Sequence, residues 1–198
     1  MPARAATTGV VLCGGRSLRM GRDKSLLEIG GRSLLERAIA VLDGIAGDVL
    51  LACGPAERYA DLGRPLVTDA FPDGGPLAGL EAGLRRATTE WIAALACDMP
   101  RAEPSIFAEL LDRAQRDDLD VCFLRTDRGV EPLCAVYRKT CLEPMRAALA
   151  RGERKVVSFL GCEPRPRAGE LELDPGLAVN LNTPAEFQAE DARLERSA

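Results

Sequence analysis

A glycine-rich and strongly basic segment covers residues 14–24. It contains three glycines, four basic side chains and a single acidic side chain, Asp23. The glycines are Gly14, Gly15 and Gly21, and the basic residues are Arg16, Arg19, Arg22 and Lys24. Backbone N–H groups around glycines can approach phosphate oxygens closely, and the cations favour a polyanion. The whole chain has 26 basic and 30 acidic side chains and a net charge of -4, so this local positive charge predicts a phosphate-bearing ligand. A solvated charged loop is the alternative.

The two commonest glycine fingerprints are absent from this segment. It contains no Gly-x-Gly-x-x-Gly, and it does not close with Gly-Lys followed by Ser or Thr. The first motif is typical of dinucleotide-binding turns and the second of the phosphate loops of NTPases. Assignment as a dinucleotide oxidoreductase or as a P-loop NTPase therefore loses its usual support.

Two aspartates follow predicted strands, at positions where a side chain is held rigidly. Asp98 comes directly after an apolar run, and Asp69 follows the segment 65–68. Asp69 also leads into a glycine-rich stretch, 74–79, that enters a helix N-terminus. Carboxylate oxygens are the ligands that Mg²⁺ prefers, so Asp98 is a candidate metal ligand. For each aspartate the alternative is a helix cap or a plain turn.

Short apolar runs alternate with amphipathic stretches along most of the chain. The runs that we interpret as buried strands are Val10–Cys13, Val49–Cys53, Trp91–Cys97 and Val121–Leu124. Runs of this length without helical periodicity suit a sheet covered on both faces. Capping boxes and prolines predict helix starts at Ser33, Pro76, Pro104 and Thr183.

The second half of the chain is less regular. Gly129–Arg138 predicts an extra strand, and Leu171–Leu181 an irregular return towards the sheet. The helix at Pro76 is expected to bury one stripe, formed by Leu77, Leu80 and Leu84. Strand–helix alternation predicts an α/β fold, a single three-layer αβα sandwich with a mostly parallel sheet and one domain over residues 1–198. Ligands of such sheets bind outside the carboxyl ends of the strands.

Composition excludes several classes of protein. The chain has no histidine, which removes Ser-His-Asp and Cys-His catalysis and His-ligated zinc. Its acidic balance argues against nucleic acid or an anionic membrane surface as a partner. No apolar run approaches the roughly 20 residues that span a bilayer, and residues 1–8 lack the apolar core of an export signal. We therefore expect a cytoplasmic protein.

The seven cysteines do not form a disulfide framework. Their number is odd and no Cys-x-x-Cys pair occurs. Cys13, Cys53 and Cys97 each end an apolar run, which indicates small buried hydrophobes in a reducing compartment. Their spacing gives no support for zinc. A redox dithiol protein is an alternative, which thiol titration would test.

Four ordered blocks of the chain resemble one known family. The first is Leu12–Leu27, which is similar to the L-A-G-G-x-S-x-R-M-G-x-D-K-x-L-L signature of molybdenum cofactor guanylyltransferases (MobA). The later blocks are Gly75–Gly79, Ala96–Pro100 and Asn180–Pro184. The resemblance implies a Rossmann-like nucleotidyltransferase fold. It also implies an enzyme that joins GMP from GTP to molybdopterin and releases pyrophosphate.

The resemblance implies a role for each matching residue. The nucleotide-binding residues would be Leu12, Cys13, Gly14, Gly15, Lys24, Asp69, Gly79 and Asp98. The catalytic residues would be Arg19, Lys24 and Asp98, with Asp98 holding Mg²⁺ or, in its place, Mn²⁺. Asn180 and Asn182 would close the site on the pterin side. The implied partners are GTP and molybdopterin as substrates, with transient contacts to cofactor-delivery or acceptor proteins.

The chain departs from the family pattern at two places. Cys13 stands where the family has alanine, and Cys53-Gly54-Pro55 stands where it often has an asparagine near the nucleotide. The related cytidylyltransferases typically carry L-A-A-G and lack Gly-Pro-Leu-Ala-Gly, so the base preference looks guanylyl-like. Two alternatives stay open besides the dithiol protein: a nucleotidyltransferase using CTP or another phosphorylated acceptor, and a non-catalytic nucleotide-binding module.

Overall fold

The computed structural model describes residues 6–14, 23–56, 58–71, 73–173, 175–177, 179–181 and 183–196. The strands within this part of the chain are β1 (Thr7–Leu12), β2 (Glu28–Ile29), β3 (Arg32–Ser33), β4 (Asp48–Ala52), β5 (Leu66–Val67), β6 (Trp91–Ala96), β7 (Val121–Thr126), β8 (Gly129–Arg138) and β9 (Ala168–Glu172). The helices are α1 (Leu34–Asp43), α2 (Gly75–Arg86), α3 (Pro104–Arg116), α4 (Leu142–Ala150) and α5 (Pro184–Glu195).

Seven of the described strands form one sheet in the order β5-β4-β1-β6-β8-β7-β9. Strands β5, β4, β1 and β6 run parallel to one another, and β7 is parallel to β9. Strand β8 is antiparallel to both β6 and β7. The expected mostly parallel sheet is confirmed, and the extra strand predicted over Gly129–Arg138 has those bounds.

Helices cover both faces of the sheet. Alternate residues of β1, Val11 and Val10, point to opposite faces and pack into two separate clusters. Helices α1 and α3 bury their apolar stripes in the first cluster, and α2 and α4 in the second. This arrangement is the predicted three-layer sandwich, and it follows from the two-fold side-chain period of buried strands.

Sequence capping signals locate two helix starts correctly. Ser33 caps α1 in a full capping box with Glu36, and Thr183 does the same for α5 with Glu186. In each box the hydroxyl of the cap residue accepts a hydrogen bond from the third N–H of the helix. The glutamate carboxylate accepts one from the N–H of the cap residue, so two backbone donors that lack partners inside the helix are satisfied. Pro104 opens α3 as expected.

Helix α2 departs from the expected single apolar stripe. Every residue from Leu77 to Leu84 is buried, because α4 covers the side of α2 that would otherwise face solvent. Helix α4, which the sequence pattern does not predict, is short and carries Met145 and Ala148 into the same cluster. Packing against the unpredicted helix α4 therefore leaves the middle of α2 without an exposed face.

The C-terminal region differs from the prediction as well. The expected irregular return over Leu171–Leu181 is wrong at its start, because the edge strand β9 already begins at Ala168. Helix α5 packs on the β2–β3 hairpin, where Ile29, Leu34 and Leu181 form a small separate core. Among the described residues, none of the helices has the length and apolar character needed to cross a membrane.

Candidate active site

Lys24 and Asp98 meet at the carboxyl edge of the central strands. Asp98 follows β6, and Lys24 opens the 3₁₀ turn Lys24–Leu26. The Lys24 Nζ lies 2.9 Å from the Asp98 Oδ2, and the two side chains are 17% and 26% exposed. Strands β1 and β6 are parallel neighbours in which Leu12 lies opposite Ala96, so the segments that follow them leave the sheet side by side. The two residues therefore lie together at one point of this edge and not on opposite sides of the molecule, as expected.

The main chain of Asp98 is tied to the C-terminal part of the protein. The Leu181 N–H donates to the Asp98 carbonyl oxygen at 2.9 Å. Three residues after Asp98, the Arg101 guanidinium binds both carboxylate oxygens of Glu190, a residue of α5 that is 2% exposed. Burial raises the pKa of the Glu190 carboxyl, but hydrogen bonds from Arg101 and Arg193 outweigh it and hold that pKa at about 2.

The Glu190–Arg101 pair was missed by the sequence analysis. The two residues are 89 positions apart, and neither stands in a recognisable pattern. Their pairing fixes the loop after β6 because a bidentate carboxylate–guanidinium contact restricts both position and orientation.

Asp69 lies at the same edge, after β5, which is separated from β1 by β4. Its main-chain N–H donates to the Gly54 carbonyl oxygen at 3.2 Å. Its Oδ1 is buried and has no hydrogen-bond partner within the described part of the chain. Burial, and secondarily the charge of Glu81, raises the pKa of the Asp69 carboxyl. A buried acceptor without a donor is rare in native proteins, and it is the expected state of a group that completes its bonding with a ligand.

Gly79 lies between Asp69 and the end of β1. A Cβ at residue 79 would lie 2.8 Å from the Leu12 Cδ2 and 3.9 Å from the Asp69 Oδ1. Helix α2 starts four residues earlier, and no side chain of the described residues caps it at Gly74. Its first N–H groups have no partner inside the helix, so this N-terminus favours an anion. Gly79 thus lets α2 approach the end of β1 closely.

Gly14 allows two main-chain segments to touch. A Cβ at residue 14 would lie 2.6 Å from the Gly54 nitrogen, closer than any real contact of this kind. Gly54 itself has φ of 79°, the left-handed conformation that glycine adopts without strain. The Cys53-Gly54-Pro55 departure therefore has a structural reason, since the loops after β1 and β4 pack backbone against backbone.

The Cys13 side chain points into the core. It is 2% exposed, and its Sγ lies 3.8 Å from the Cys53 Sγ. The hydrogen bond with Cys53, followed by burial, raises the pKa of the Cys13 thiol. Replacing the family's alanine by cysteine therefore leaves the main chain of this loop in place. All seven cysteines are free thiols.

Some backbone groups of the loop after β1 are already engaged. The Cys13 N–H donates to the Ala52 carbonyl oxygen at 3.0 Å, and the Leu12 carbonyl oxygen accepts from the Cys97 N–H at 3.4 Å. An N–H makes one strong hydrogen bond, so a ligand contact at Cys13 would use the second lone pair of its carbonyl oxygen, which already accepts from the Arg58 Nη2 at 2.9 Å. Gly15 and Arg19 lie outside the described residues.

Asn180 lies next to Leu181, whose N–H binds the Asp98 carbonyl oxygen. The Asn180 Nδ2 donates to the Glu131 Oε2 at 3.3 Å. These contacts place Asn180 between Asp98 and Glu131 of β8. Asn182 lies outside the described residues.

The carboxylates fit a cation that keeps water and phosphate ligands. No group of three or more Asp, Glu, Cys or His side chains that could hold a metal occurs among the residues whose placement is described. Mg²⁺ is commonly held by one or two carboxylates together with substrate phosphates. Asp98, with its partly exposed carboxylate, meets that requirement.

Comparison with known proteins gives concordant results. A family model described as a MobA-like NTP transferase domain matches residues 9–165. A probable molybdenum cofactor guanylyltransferase of Chloroflexus aggregans is 34% identical over 204 residues, covering 98% of each chain. That of Pseudomonas syringae pv. tomato, named molybdenum cofactor guanylyltransferase, is 36% identical over 179 residues, covering 88% of each chain.

Solved structures show the same fold. A crystal structure of molybdopterin-guanine dinucleotide biosynthesis protein A from Archaeoglobus fulgidus matches with a TM-score of 0.80 and 22% identity, covering 96% of this chain and 99% of that one. A Mycobacterium tuberculosis protein crystallised as a complex with manganese matches with a TM-score of 0.69 and 22% identity, covering 95% and 99%.

Proposed function

This chain belongs to the MobA-like NTP transferase family, and we propose that it transfers GMP from GTP to molybdopterin, releasing pyrophosphate and forming molybdopterin guanine dinucleotide. It is a nucleotidyltransferase, as its curated relatives are named over nearly their full length. The observation that carries the proposal is the ion pair of Lys24 and Asp98, 2.9 Å apart at the carboxyl edge of β1 and β6. A cation and a hard carboxylate at one point of a sheet edge suit a triphosphate with its metal ion.

Lys24 serves the triphosphate in this proposal. Its Nζ is held by Asp98 in the free protein, and the phosphate oxygens of GTP compete for the same ammonium group. Rotation of the Lys24 side chain alone then exchanges one anionic partner for another. Charge-assisted hydrogen bonds of this type contribute roughly 1.5–3 kcal/mol each. Arg19 and the N–H groups of Gly14 and Gly15 would add to the same charge compensation.

Asp98 would hold Mg²⁺, or Mn²⁺ in its place. The bound cation would supply positive charge to the phosphates, which is the chemistry it generally provides in phosphoryl transfer. One structural neighbour is a complex with manganese, which supports a divalent metal in this fold. Asp69 would contact the nucleotide, and its buried Oδ1 without a donor suits a hydroxyl or N–H group of that ligand.

The chemical step needs little proton transfer from the protein. A phosphate oxygen of molybdopterin forms a bond to the α-phosphorus of GTP, and the bond from that phosphorus to the bridging oxygen of pyrophosphate breaks. The attacking oxygen is already anionic, so a chain without histidine loses no essential base. Positioning and charge compensation are the main contributions of proteins to such transfers.

The acceptor side of the site is assigned to Asn180 and Asn182. Asn180 is fixed beside the Asp98 loop through Leu181, and its amide can donate to or accept from a pterin ring edge. Transient contacts with the proteins that deliver molybdopterin or receive the product belong to the same proposal. The free state of all seven cysteines supports a reducing compartment, the cytoplasm.

The test is product identification. The purified chain is incubated with molybdopterin, Mg²⁺ and either GTP or CTP, and pyrophosphate release is measured together with the mass of the dinucleotide. We expect the guanine dinucleotide from GTP, at least tenfold faster than any product from CTP, and no product in excess chelator. A cytosine dinucleotide would reassign the base. Binding of GTP without pyrophosphate release would indicate a nucleotide-binding module.

A further inference from the structure

Asp23 is bound from three directions by side-chain and main-chain donors. Its Oδ2 accepts from the Tyr59 hydroxyl at 2.7 Å and lies 3.3 Å from the Arg58 guanidinium. Its Oδ1 accepts from the Ser25 N–H at 3.1 Å. A carboxylate with both oxygens engaged cannot move without breaking several bonds at once. Asp23 is therefore a fixed point in the chain directly before Lys24.

Tyr59 approaches Asp23 from the loop after β4. Its ring is 9% exposed and belongs to the core cluster under α1 and α3. Its backbone has φ of 65°, a conformation that is uncommon for a bulky residue and persists only where the surroundings enforce it. Burial, as the main cause, raises the pKa of the Tyr59 hydroxyl well above its ordinary range. The hydroxyl therefore remains a hydrogen-bond donor to Asp23 at every physiological pH.

Arg58 precedes Tyr59 in the loop after β4 and contacts the same carboxylate, Asp23. Its guanidinium lies 5.1 Å from the centre of the Tyr59 ring, within cation–π distance. Its Nη2 donates to the Cys13 carbonyl oxygen at 2.9 Å. A single side chain thus connects the loop after β4, the end of β1 and Asp23.

The 3₁₀ turn that carries Lys24 is held by contacts on two sides. Asp23 caps it, with its side chain on Ser25 and its carbonyl oxygen on the Leu26 N–H. On the other side, the Ser25 Oγ lies 3.3 Å from the Cys97 Sγ, and Cys97 directly precedes Asp98. The backbone of Lys24 is therefore fixed relative to both strands whose ends form the site.

We infer that Tyr59, assisted by Arg58, is a positioning residue that holds Lys24 ready for a triphosphate by fixing Asp23. The inference rests on the proposed function for the nature of the ligand, a nucleoside triphosphate. A fixed backbone lets Lys24 leave Asp98 for the phosphates by side-chain rotation alone. A loosened turn would have to be ordered again on binding, and that cost lowers affinity for the triphosphate group.

The base and the ribose are not contacted through Lys24 in this arrangement. Loss of the hydrogen bond between Tyr59 and Asp23 should therefore weaken the binding of ligands that carry a triphosphate and leave the binding of a nucleoside monophosphate unchanged. This selectivity separates positioning from a general loss of structure.

The test uses Tyr59→Phe, which removes one hydroxyl and keeps the ring in the core. Calorimetry measures the affinity of the full chain for inorganic triphosphate, GTP and GMP. We expect Kd for triphosphate and for GTP to rise about three- to tenfold, as for a lost charge-assisted hydrogen bond that acts indirectly, and Kd for GMP to stay within twofold. Equal weakening of all three ligands would overturn the inference.

A double-mutant cycle shows whether Tyr59 acts through Lys24. Adding Tyr59→Phe to Lys24→Ala should cause no further loss of triphosphate affinity, because interacting residues are not additive. Full additivity of the two effects would contradict the inference. Asp23→Asn serves as the second variant, and it should show the same selectivity between triphosphate and GMP.

The matched control is Tyr137→Phe. Tyr137 is the other tyrosine of the chain, fully buried, with its hydroxyl donating to the Pro132 carbonyl oxygen. It lies in the core cluster on the opposite face of the sheet, so its variant should bind triphosphate as the parent does. A parent that binds triphosphate without forming a dinucleotide overturns the guanylyl transfer alone. A parent that binds no triphosphate overturns this inference too.

Discussion

Opposite edges of the same sheet carry two differently built groups of charged side chains. The site cluster, at the carboxyl edge, consists of Lys24, Asp69 and Asp98. The amino-edge cluster, beside the starts of β7 and β9 and the end of β8, consists of Asp118, Asp120, Arg138 and Arg167. The two use the same functional groups but differ in how completely those groups are paired.

The amino-edge cluster is saturated. Asp120 accepts from the Thr140 hydroxyl and from the Arg167 N–H, both at 2.8 Å, and from the Arg167 Nε at 3.1 Å. Arg138 adds contacts to Asp118 and to Glu90. Burial would raise the pKa of the Asp120 carboxyl, but these hydrogen bonds outweigh it and lower that pKa. Each of these bonds joins segments that are distant in the chain, so the cluster stabilises the fold at this edge of the sheet.

The site cluster is left incomplete. Asp98 is paired with Lys24, and the buried Oδ1 of Asp69 has no donor in the described part of the chain. The pKa of the Asp69 carboxyl is raised, mainly by burial. Incomplete pairing costs stability, and such costs are typical of positions where a ligand supplies the missing partner. The two clusters therefore differ in how completely their charges are paired, and incomplete pairing is what we expect of the proposed site.

The largest effect should come from Asp98→Asn. Loss of the proposed metal ligand, which is also the carboxylate opposite Lys24, should lower kcat about 100-fold or more. The melting temperature should change little, since the side chain is 26% exposed. Steady-state pyrophosphate release and a thermal melt measure the two quantities. Asp112→Asn, an exposed aspartate on α3 paired with Arg116, is the matched control. Turnover of Asp98→Asn at the parental rate would show that the metal assignment is wrong.

Lys24→Ala should have the next largest effect. Kd for GTP with Mg²⁺ should rise about 10- to 150-fold, the equivalent of one charge-assisted contact of roughly 1.5–3 kcal/mol. Thermal protection by GTP and Mg²⁺ should fall accordingly, with the unliganded melting temperature near that of the parent. Undiminished protection in this variant would remove Lys24 from the triphosphate site.

Asp120→Asn tests the amino-edge cluster and should act on stability alone. Losing the charge that accepts from Thr140 and Arg167 should lower the free energy of unfolding by about 1–3 kcal/mol, or the melting temperature by about 3–10 °C. KM and kcat should match the parent. Urea unfolding and steady-state kinetics check both parts, with Asp112→Asn again as the control. A drop in kcat with unchanged stability would show that the two edges are coupled.

The smallest effect is the opposite pH dependence of the two clusters. The pKa of Asp69 is raised, so its contribution to stability is present below its unfolded value near 3.9 and is lost as pH rises through the folded value. The pKa of Asp120 is lowered, so its contribution is present above about 3.9 and is lost as pH falls.

Asp69→Asn checks this sign. Relative to the parent, the variant should gain stability between pH 4 and pH 7, by less than about 1 kcal/mol. The deficit of Asp120→Asn should instead shrink as pH falls. Urea unfolding at four pH values measures both slopes. Parallel slopes for Asp69→Asn and the parent would mean that the carboxyl is not destabilised by burial.

Sequence patterns predicted the structure correctly where the stabilising interactions lie between residues that are close in the chain. Ser33 and Thr183 mark helix starts because a capping box is completed within four residues. The apolar runs that ended at residues 53 and 97 became β4 and β6 because a two-sided sheet needs uninterrupted apolar residues. Helix α4 was not predicted from the sequence. It is short, and its apolar residues form a buried face only because they pack on α2.

The residues of the candidate site also divide into those that the sequence identifies and those that depend on contacts between distant segments. Lys24, Asp69 and Asp98 could be named from residue type and from their places after strands. Arg58, Tyr59 and Glu190 could not, because each acts on a partner 35 to 89 positions away. No spacing rule records such contacts, which depend on how the loops after parallel strands are brought together.

The sequence by itself determined the strand–helix alternation that sets the fold class, the local concentration of cations that ends at Lys24 and the family of the chain. The tertiary structure alone decided that Lys24 faces Asp98 across 74 positions and that Asp69 keeps a buried oxygen without a donor. The physical reason is that propensity, capping and periodicity act between neighbours in the chain. Pairing and burial of charge instead depend on strand register, which the whole fold sets.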